Sequence, residues 1–257
     1  MVELKDLHAV VCGSTQGIGK STALELAKNG ASITLIARDE AKLVSVLSEL
    51  PPHPKHDYIV ADFSEPAQLK QKINEWAANH TAHILVNNTG GPKGGAIISA
   101  ATDEFLAAFN QHLICNHIMV QALWKSMQAA QYGRIINVIS TSVKQPLDGL
   151  GVSNTVRGAV ANWSKTLANE LGQYNITVNN VLPGATNTAR LQAIAASKSE
   201  DSAAIKDILD QMGQQSPMKR IAEPEEIAAA IVFLASPAAS YINGINVPVD
   251  GGRTKSL

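Results

Sequence analysis

The sequence predicts an α/β fold in which seven parallel strands form one doubly wound sheet with helices packed on both faces. Three observations carry this expectation. Short runs rich in Val and Ile alternate with longer helical stretches along nearly the whole chain. The short runs are close to continuously apolar, as strands covered on both faces are. A glycine-rich turn, Gly13-Ser14-Thr15-Gln16-Gly17-Ile18-Gly19, joins the first run to the first helix.

Taken in order, the strands are expected at His8–Cys12, Ile33–Ala37, Tyr58–Asp62, Ile84–Asn87, Arg134–Ile139, Thr177–Leu182 and Asn246–Val249. The helices between them are expected at Ile18–Asn29, Glu40–Leu50, Pro66–Asn79, Thr102–Ala130, Gly149–Tyr174 and Glu225–Leu234. Pro51-Pro52-His53-Pro54 reads as a stiff connection. No internal repeat or interdomain linker interrupts the pattern, so residues 1–257 are expected to form one domain. One stretch breaks the rhythm: from Gly184 to Ser216 the chain is polar, Ala-rich and helical in character. It follows the C-terminal end of a strand, where open α/β sheets bind ligands, and residues 184–216 are expected to act as a substrate lid rather than a spacer.

Composition excludes several function classes. The formal charge is −1 and Lys and Arg are scattered, which leaves no basic footprint for nucleic acid or an anionic membrane. The longest helical apolar run, Ile227 to Ala235, reaches about half the ~20 residues of a membrane span. Cys12 and Cys115 match no metal or disulfide spacing and read as reduced core thiols, which suits a cytoplasmic protein. Partners are therefore expected to be small molecules.

In the glycine turn, glycines permit the tight bend and let an anion approach the backbone, while the N–H groups and positive dipole end of the following helix face it. That placement is the signature of a dinucleotide pyrophosphate site.

The spacing is G-x-x-x-G-x-G. With Asn87-Asn88-Thr89-Gly90 after the fourth strand, it resembles the short-chain dehydrogenase/reductase superfamily. Asp62 after the third strand, Asn180-Val181-Leu182-Pro183-Gly184 with Thr188, Pro217 to Ile227 with Arg220 and Pro224-Glu225-Glu226, and Asn243-Gly244 to Asp250-Gly251-Gly252 extend the likeness over essentially the whole chain. The resemblance implies a Rossmann-like fold binding NAD or NADP. It places Gly13, Ser14, Gln16, Gly17, Ile18 and Gly19 around the pyrophosphate and adenosine ribose, and Asp62 and Phe63 beside the adenine. Asn88 and Gly90 fall on the ribose side, and Pro183, Gly184 and Thr188 at the nicotinamide end.

The choice between NAD and NADP turns on Ala37-Arg38-Asp39 at the end of the second strand. Similar proteins that select NAD carry an acid where Ala37 stands, and Arg38 matches a basic position that selects NADP. NADP is favoured, because a guanidinium binds phosphate bidentately; Arg38 as a solvated residue and Asp39 as a helix cap is the alternative.

The family's proton-transfer system is an Asn, a Ser, a Tyr and a Lys. Ser140 matches the Ser. Ser153 stands where the Tyr is expected, Arg157 where the Lys is expected, and His112 in place of the Asn. Ser153 and Arg157 still share a helix face. Arg157 could hold ribose hydroxyls, but it is a poor proton shuttle. Three readings follow. Hydride chemistry could persist with another acid, His112 having an ordinary pKa near ~6.5, with Lys144 and Asp148 on the loop beside the substrate. The chain could bind the dinucleotide without redox turnover, as a sensor or assembly partner. A lyase or isomerase using Ser140, Ser153 and His112 is the third. The first is preferred, since the motifs at the nicotinamide end remain: a carbonyl reductase or alcohol dehydrogenase with a non-standard proton donor. The resemblance also implies a homodimer or homotetramer built on the helices at Thr102–Ala130 and Gly149–Tyr174, where Trp124, Met127 and Trp163 suit either a subunit interface or the monomer core.

Overall fold

The computed structural model describes residues 3–196 and 201–256, the side chain of Ser202 excepted. Seven strands, β1 (His8–Cys12), β2 (Ser32–Ala37), β3 (Asp57–Val60), β4 (Ile84–Asn87), β5 (Gly133–Val138), β6 (Ile176–Pro183) and β7 (Asn246–Val249), form one sheet. Every neighbouring pair is parallel and the order is β3-β2-β1-β4-β5-β6-β7. The order reverses between β1 and β4. The crevice outside the C-terminal strand ends at that reversal is where such sheets take a ligand.

Side chains alternate across the sheet, and the helices divide accordingly. Ala9 and Val11 of β1 pack with Leu26 of α1 (Gly17–Lys28), Leu43 of α2 (Glu40–Glu49) and Ile227 and Ile231 of α9 (Pro224–Ala235). Val10 and Cys12 face the other layer: Leu69 and Ile73 of α3 (Pro66–Ala77), Met119 and Leu123 of α5 (Cys115–Ala129), and Ala168 and Leu171 of α6 (Gly151–Leu171). Fully burying each large aliphatic side chain stabilises the fold by roughly 1.5–3 kcal/mol, so the two layers hold the sheet rigid beneath the crevice.

A polar ladder runs through this apolar core. Asn87, Asn137, Asn180 and Asn246 occupy the same level of β4, β5, β6 and β7. Asn87 donates to Asn137 at 2.8 Å, Asn137 to Asn180 at 3.0 Å, and Asn180 to Asn246 at 2.8 Å. Asn137 also donates to Ser164 Oγ of α6, 2.9 Å away. Asn is disfavoured in strands; here carboxamides of adjacent strands bond in series and fix the register, with Asn87 Oδ1 left without a partner among the described residues.

Several expected boundaries shift. The third strand ends at Val60 rather than Asp62, because Asp62 turns back to accept from Ser64 N at 2.8 Å. The helix expected over Thr102–Ala130 is three pieces: α4 (Thr102–Phe109), a π-helical turn at Asn110–Ile114, and α5. Such one-turn widenings concentrate at functional sites, and this one carries His112. The helix expected over Gly149–Tyr174 begins at Gly151 and ends in a 3-10 turn, Gly172–Tyr174. The segment after β6 holds α7 (Ala189–Ala196) and α8 (Ser202–Gln214), both helical as expected. Met127 is fully buried in the core of the protein itself, so it does not reach a subunit face. Trp124 and Trp163 are half-buried, against Tyr174 and His117. Both cysteines are buried and unpaired, and Cys115 donates to Phe63 O.

Candidate active site

The turn from β1 to α1 is built for close approach. Gly13 has φ +60°, and a Cβ there would lie 2.3 Å from Asn88 O; a Cβ on Gly19 would lie 2.2 Å from Gly13 O. The backbone is thus pressed against the loop after β4, and only glycine fits. Asn88 fastens the two segments by donating to Cys12 O (3.4 Å) and Gly13 O (3.3 Å). Gln16 precedes α1 without capping it, and no acid stands in the first turn. The free N–H groups and the positive end of α1 therefore meet no protein anion. A cradle that a Cβ would fill, at an uncapped helix start, fits a diphosphate. Ser14 is fully buried, and its Oγ donates to Ile36 O at 3.4 Å. Ile18 is half-buried against the core.

The other expected cofactor residues lie at or after the ends of β2, β3, β4 and β6. Asp62 and buried Phe63 lie past β3, and half-buried Asn88 and exposed Gly90 past β4. Pro183 ends β6, and Gly184 packs so tightly on Asp250 that a Cβ would lie 2.7 Å from its Cα. Thr188 Oγ1 accepts from Leu191 N at 3.3 Å and so starts α7, while its methyl faces Gly17. Arg38 is exposed at the end of β2. Asp39 caps α2 by accepting from Lys42 N at 3.1 Å, which holds its carboxyl below the ordinary range. This is the arrangement of the alternative reading, an exposed Arg38 beside a capping Asp39.

The reaction end gathers β5, α6, the π turn and α7. Ser140 follows β5 and opens a 3-10 turn, Thr141–Val143, its Oγ accepting from Ser142 N at 3.1 Å; half-buried Lys144 closes that turn. Asp148 is exposed further along the loop. Ser153 is half-buried in the first turn of α6. One helical turn on, Arg157 is buried: Nη1 donates to Val138 O at 3.0 Å, whereas Nε has no partner among the described residues. Burial, with Arg190 nearby, lowers its pKa to about 10.

His112 differs from expectation. It is 1% exposed, with Nδ1 2.5 Å from Thr89 Oγ1 and Nε2 without a partner among the described residues. Burial, with the charges of Arg157 and Arg190, drives its pKa to about 2. The imidazole is neutral at pH 7, because a low-dielectric site beside guanidinium disfavours a second positive charge. The site disfavours the imidazolium form that its ordinary pKa would allow.

The sequence reading missed two neighbours. Arg190, second residue of α7, donates through Nη2 to Pro92 O at 2.5 Å, across the loop after β4. That loop is tied to the start of α6 by Gly95 N donating to Gly149 O at 2.7 Å and Gly151 N to Gly95 O at 3.2 Å. Thr89 is the other: it is read from sequence only as part of the motif after the fourth strand, and its contact with His112 is not. No local pattern announces that contact or Arg190, because both depend on segments far apart in the chain. No group of three or more His, Cys, Asp or Glu among the described residues could hold a metal, and no described helix is long and apolar enough to cross a membrane.

Known proteins share both the fold and the chain length. The family described as Enoyl-(Acyl carrier protein) reductase matches residues 13–254. The NADPH-dependent reductase BacG of Bacillus subtilis (strain 168) is 32% identical over 256 residues, covering 97% of this chain and 98% of that protein. L-xylulose reductase of Caenorhabditis elegans is 32% identical over 259 residues, with 97% and 96% covered. The crystal structure of L-sorbose reductase from Gluconobacter frateurii, complexed with NADPH and L-sorbose, superposes with a TM-score of 0.94 at 31% identity, covering 100% of this chain and 99% of that one. A family matched from the glycine turn almost to the end of the chain, on one seven-stranded parallel sheet, makes this chain an NAD(P)-dependent oxidoreductase of the short-chain dehydrogenase/reductase superfamily.

Proposed function

We propose that the protein is an NADP(H)-dependent reductase of small carbonyl compounds that works without the Tyr and Lys of its family. The observation that carries this reading is the pairing of an intact dinucleotide cradle with a buried cation, Arg157, anchored two residues upstream of Ser140. When bound, the reduced dinucleotide supplies a hydride to the carbonyl carbon. The Ser140 hydroxyl holds the substrate oxygen as negative charge develops there. Arg157, fixed on Val138 O, contributes a positive charge that needs no reorganisation, which is where catalysis by electrostatics is strongest. Ser153 leaves room beside that oxygen rather than a phenol. The proton completing the alcohol reaches the oxygen from Lys144 or from solvent, since neutral His112 is not an acid at pH 7.

NADP is supported over NAD by the similarity to an NADPH-dependent reductase and to a structure complexed with NADPH, with Arg38 at the end of β2 as the residue offered to the extra phosphate. α7 and α8 follow β6 at the crevice and serve as the lid of a chain that otherwise forms one domain. Exposed Ile98, Leu106 and Phe109, just ahead of and on α4, support assembly through α4, α5 and α6 into a homodimer or homotetramer. Two buried, unpaired thiols fit a cytoplasmic protein.

The test is thermal unfolding with NADPH, NADH or neither, followed by a carbonyl panel read as NADPH consumption. A dinucleotide at 100 times its Kd adds about 2.7 kcal/mol of stability. Binding with turnover, lost by about 10² in Ser140→Ala, supports the proposal. Binding with no turnover of any compound favours the second reading, a dinucleotide sensor, for which Ser153 in the position of the phenol is the specific observation.

A further inference from the structure

The charges at the reaction end do not balance. Arg157 is 8% exposed, yet neither it nor Arg190 forms an ion pair with any carboxylate among the described residues. Burial first, then the charge of Arg190, lowers the pKa of Arg157; burial first, then both guanidiniums, lowers that of His112, whose π turn packs on α6 and whose ring meets Thr89, two residues before Gly91. Arg157 comes from α6 and is buried, whereas Arg190 comes from α7 and is exposed. Arg190 lies along the glycine loop, its Nε and Nη2 each 3.5 Å from where a Gly91 Cβ would sit. Nε of Arg157, fully buried, has no acceptor among the described residues. A buried guanidinium without a counter-charge is costly, and proteins retain one where a ligand supplies the anion. Lys suffices at the position of Arg157 for holding ribose hydroxyls in similar proteins; a planar fork is suited instead to an oxyanion received through two donors.

We propose that the substrate carries a permanent negative charge beside its reacting carbonyl, a carboxylate or phosphate, and that Arg157 and Arg190 clamp this group while Ser140 takes the carbonyl oxygen. This rests on the reductase reading above and names its substrate class. Arg157 serves both the anchored charge and the binding of the anion; Arg190, at the start of the lid helix, joins anion binding to lid position. Reduction of such a 2-oxo acid adds hydride to carbon and a proton to oxygen, giving the 2-hydroxy acid.

Two measurements test this. In the first, pyruvate, phenylpyruvate and dihydroxyacetone phosphate are compared with methyl pyruvate and neutral ketones for NADPH consumption. One charged contact is worth about 10- to 100-fold, so an anionic substrate is expected to lead its neutral counterpart by at least that factor in kcat/KM. Arg190→Gln should collapse the ratio while changing the Kd of NADPH by less than about threefold. The carboxylate and phosphate arms identify the anion. In the second, lactate, 3-phenyllactate, glycerol 3-phosphate and methyl lactate are titrated calorimetrically into the NADPH-saturated protein, where no hydride can transfer. Binding of a charged ligand but not methyl lactate supports the clamp even if no carbonyl is reduced, a result that would sink only the reductase reading. Equal handling of charged and neutral compounds in both measurements overturns the clamp. So does an Arg190→Gln variant in which NADPH affinity falls as much as substrate preference, since the anion would then be a cofactor phosphate. Should Arg190→Gln unfold, Arg157→Lys provides the same ratio with a point charge in place of the fork.

Discussion

His112 Nδ1 lies 2.5 Å from Thr89 Oγ1, a contact that binds the π turn ahead of α5 to the loop after β4. Burial first, then the charges of Arg157 and Arg190, lowers the pKa of the ring to about 2, so its neutral form is favoured. The expected kcat/KM profile therefore has no limb near pH 6.5 due to this group. His112→Asn should cost about tenfold, the worth of one positioning hydrogen bond. Loss of about 10²–10⁴, together with removal of a wild-type limb near pH 6.5, would instead identify a general acid.

Gly19 offers a steric test of the cradle. A Cβ there meets Gly13 O at 2.2 Å and Asn88 Nδ2 at 2.6 Å, neither of which can yield without moving the turn. Gly19→Ala should destabilise the protein by about 1–3 kcal/mol and abolish the thermal shift on adding NADPH. Gly158→Ala is the control: in the middle of α6, nothing lies within 4 Å of the place a Cβ would take, and helix propensity predicts a slightly higher Tm. An unimpaired NADPH shift in Gly19→Ala would show that the dinucleotide lies elsewhere.

Arg38 is exposed and Asp39 is bound to its own helix, so one substitution should move cofactor preference. Arg38→Glu removes a charged phosphate contact and is expected to raise the Kd of NADPH by about 10- to 100-fold, with NADH little changed. Equal effects on both nucleotides, measured by fluorescence titration, would remove Arg38 from the site of the extra phosphate.

Stability should fall on mild acidification through the histidines at the N-terminal edge of the sheet. His8 lies with Nε2 2.6 Å from Thr34 Oγ1 and its ring 5.1 Å from Trp76; burial, only partly countered by Asp57, lowers its pKa to about 4. Burial also lowers His83 and His56. A group whose folded pKa lies below its unfolded value binds more protons when unfolded, so stability rises with pH across that interval. The stability due to neutral His8 is complete above about pH 6.5 and is lost as pH drops toward about 4. Carboxylates such as Glu226, held near 2 chiefly by its two 2.6 Å contacts with Arg220, lose theirs only below their ordinary range. Urea midpoints at pH 7 and pH 5 should differ, and by less in His8→Gln. Identical slopes in both proteins would clear His8.

Much of this architecture is written in local sequence. Val- and Ile-rich runs separated by helical stretches suffice for a parallel sheet, because burial on both faces leaves little choice of residue. The glycine turn was equally legible, since a positive φ at Gly13 and a 2.2 Å limit at Gly19 exclude other side chains. Interruption of the long helix at Asn110–Ile114 was not, as nothing in those residues departs from an ordinary helix; the widened turn answers to packing from outside it. The asparagine ladder escaped for a related reason. Each Asn alone is a poor strand residue, and its value appears only when register sets it beside the next.

The chain by itself determined the sheet and the cradle, because these follow from periodicity and spacing along the sequence; the interest of positions 112, 153 and 157 came from the family resemblance. Only the tertiary structure decided what surrounds those three side chains. Charge state and partnership depend on what approaches from elsewhere: burial and two guanidiniums make His112 neutral, and Arg190, brought back from α7, sets a second cation near Arg157. Electrostatic energy depends on distance through space and on the dielectric of the site, and neither is a property of neighbours in sequence.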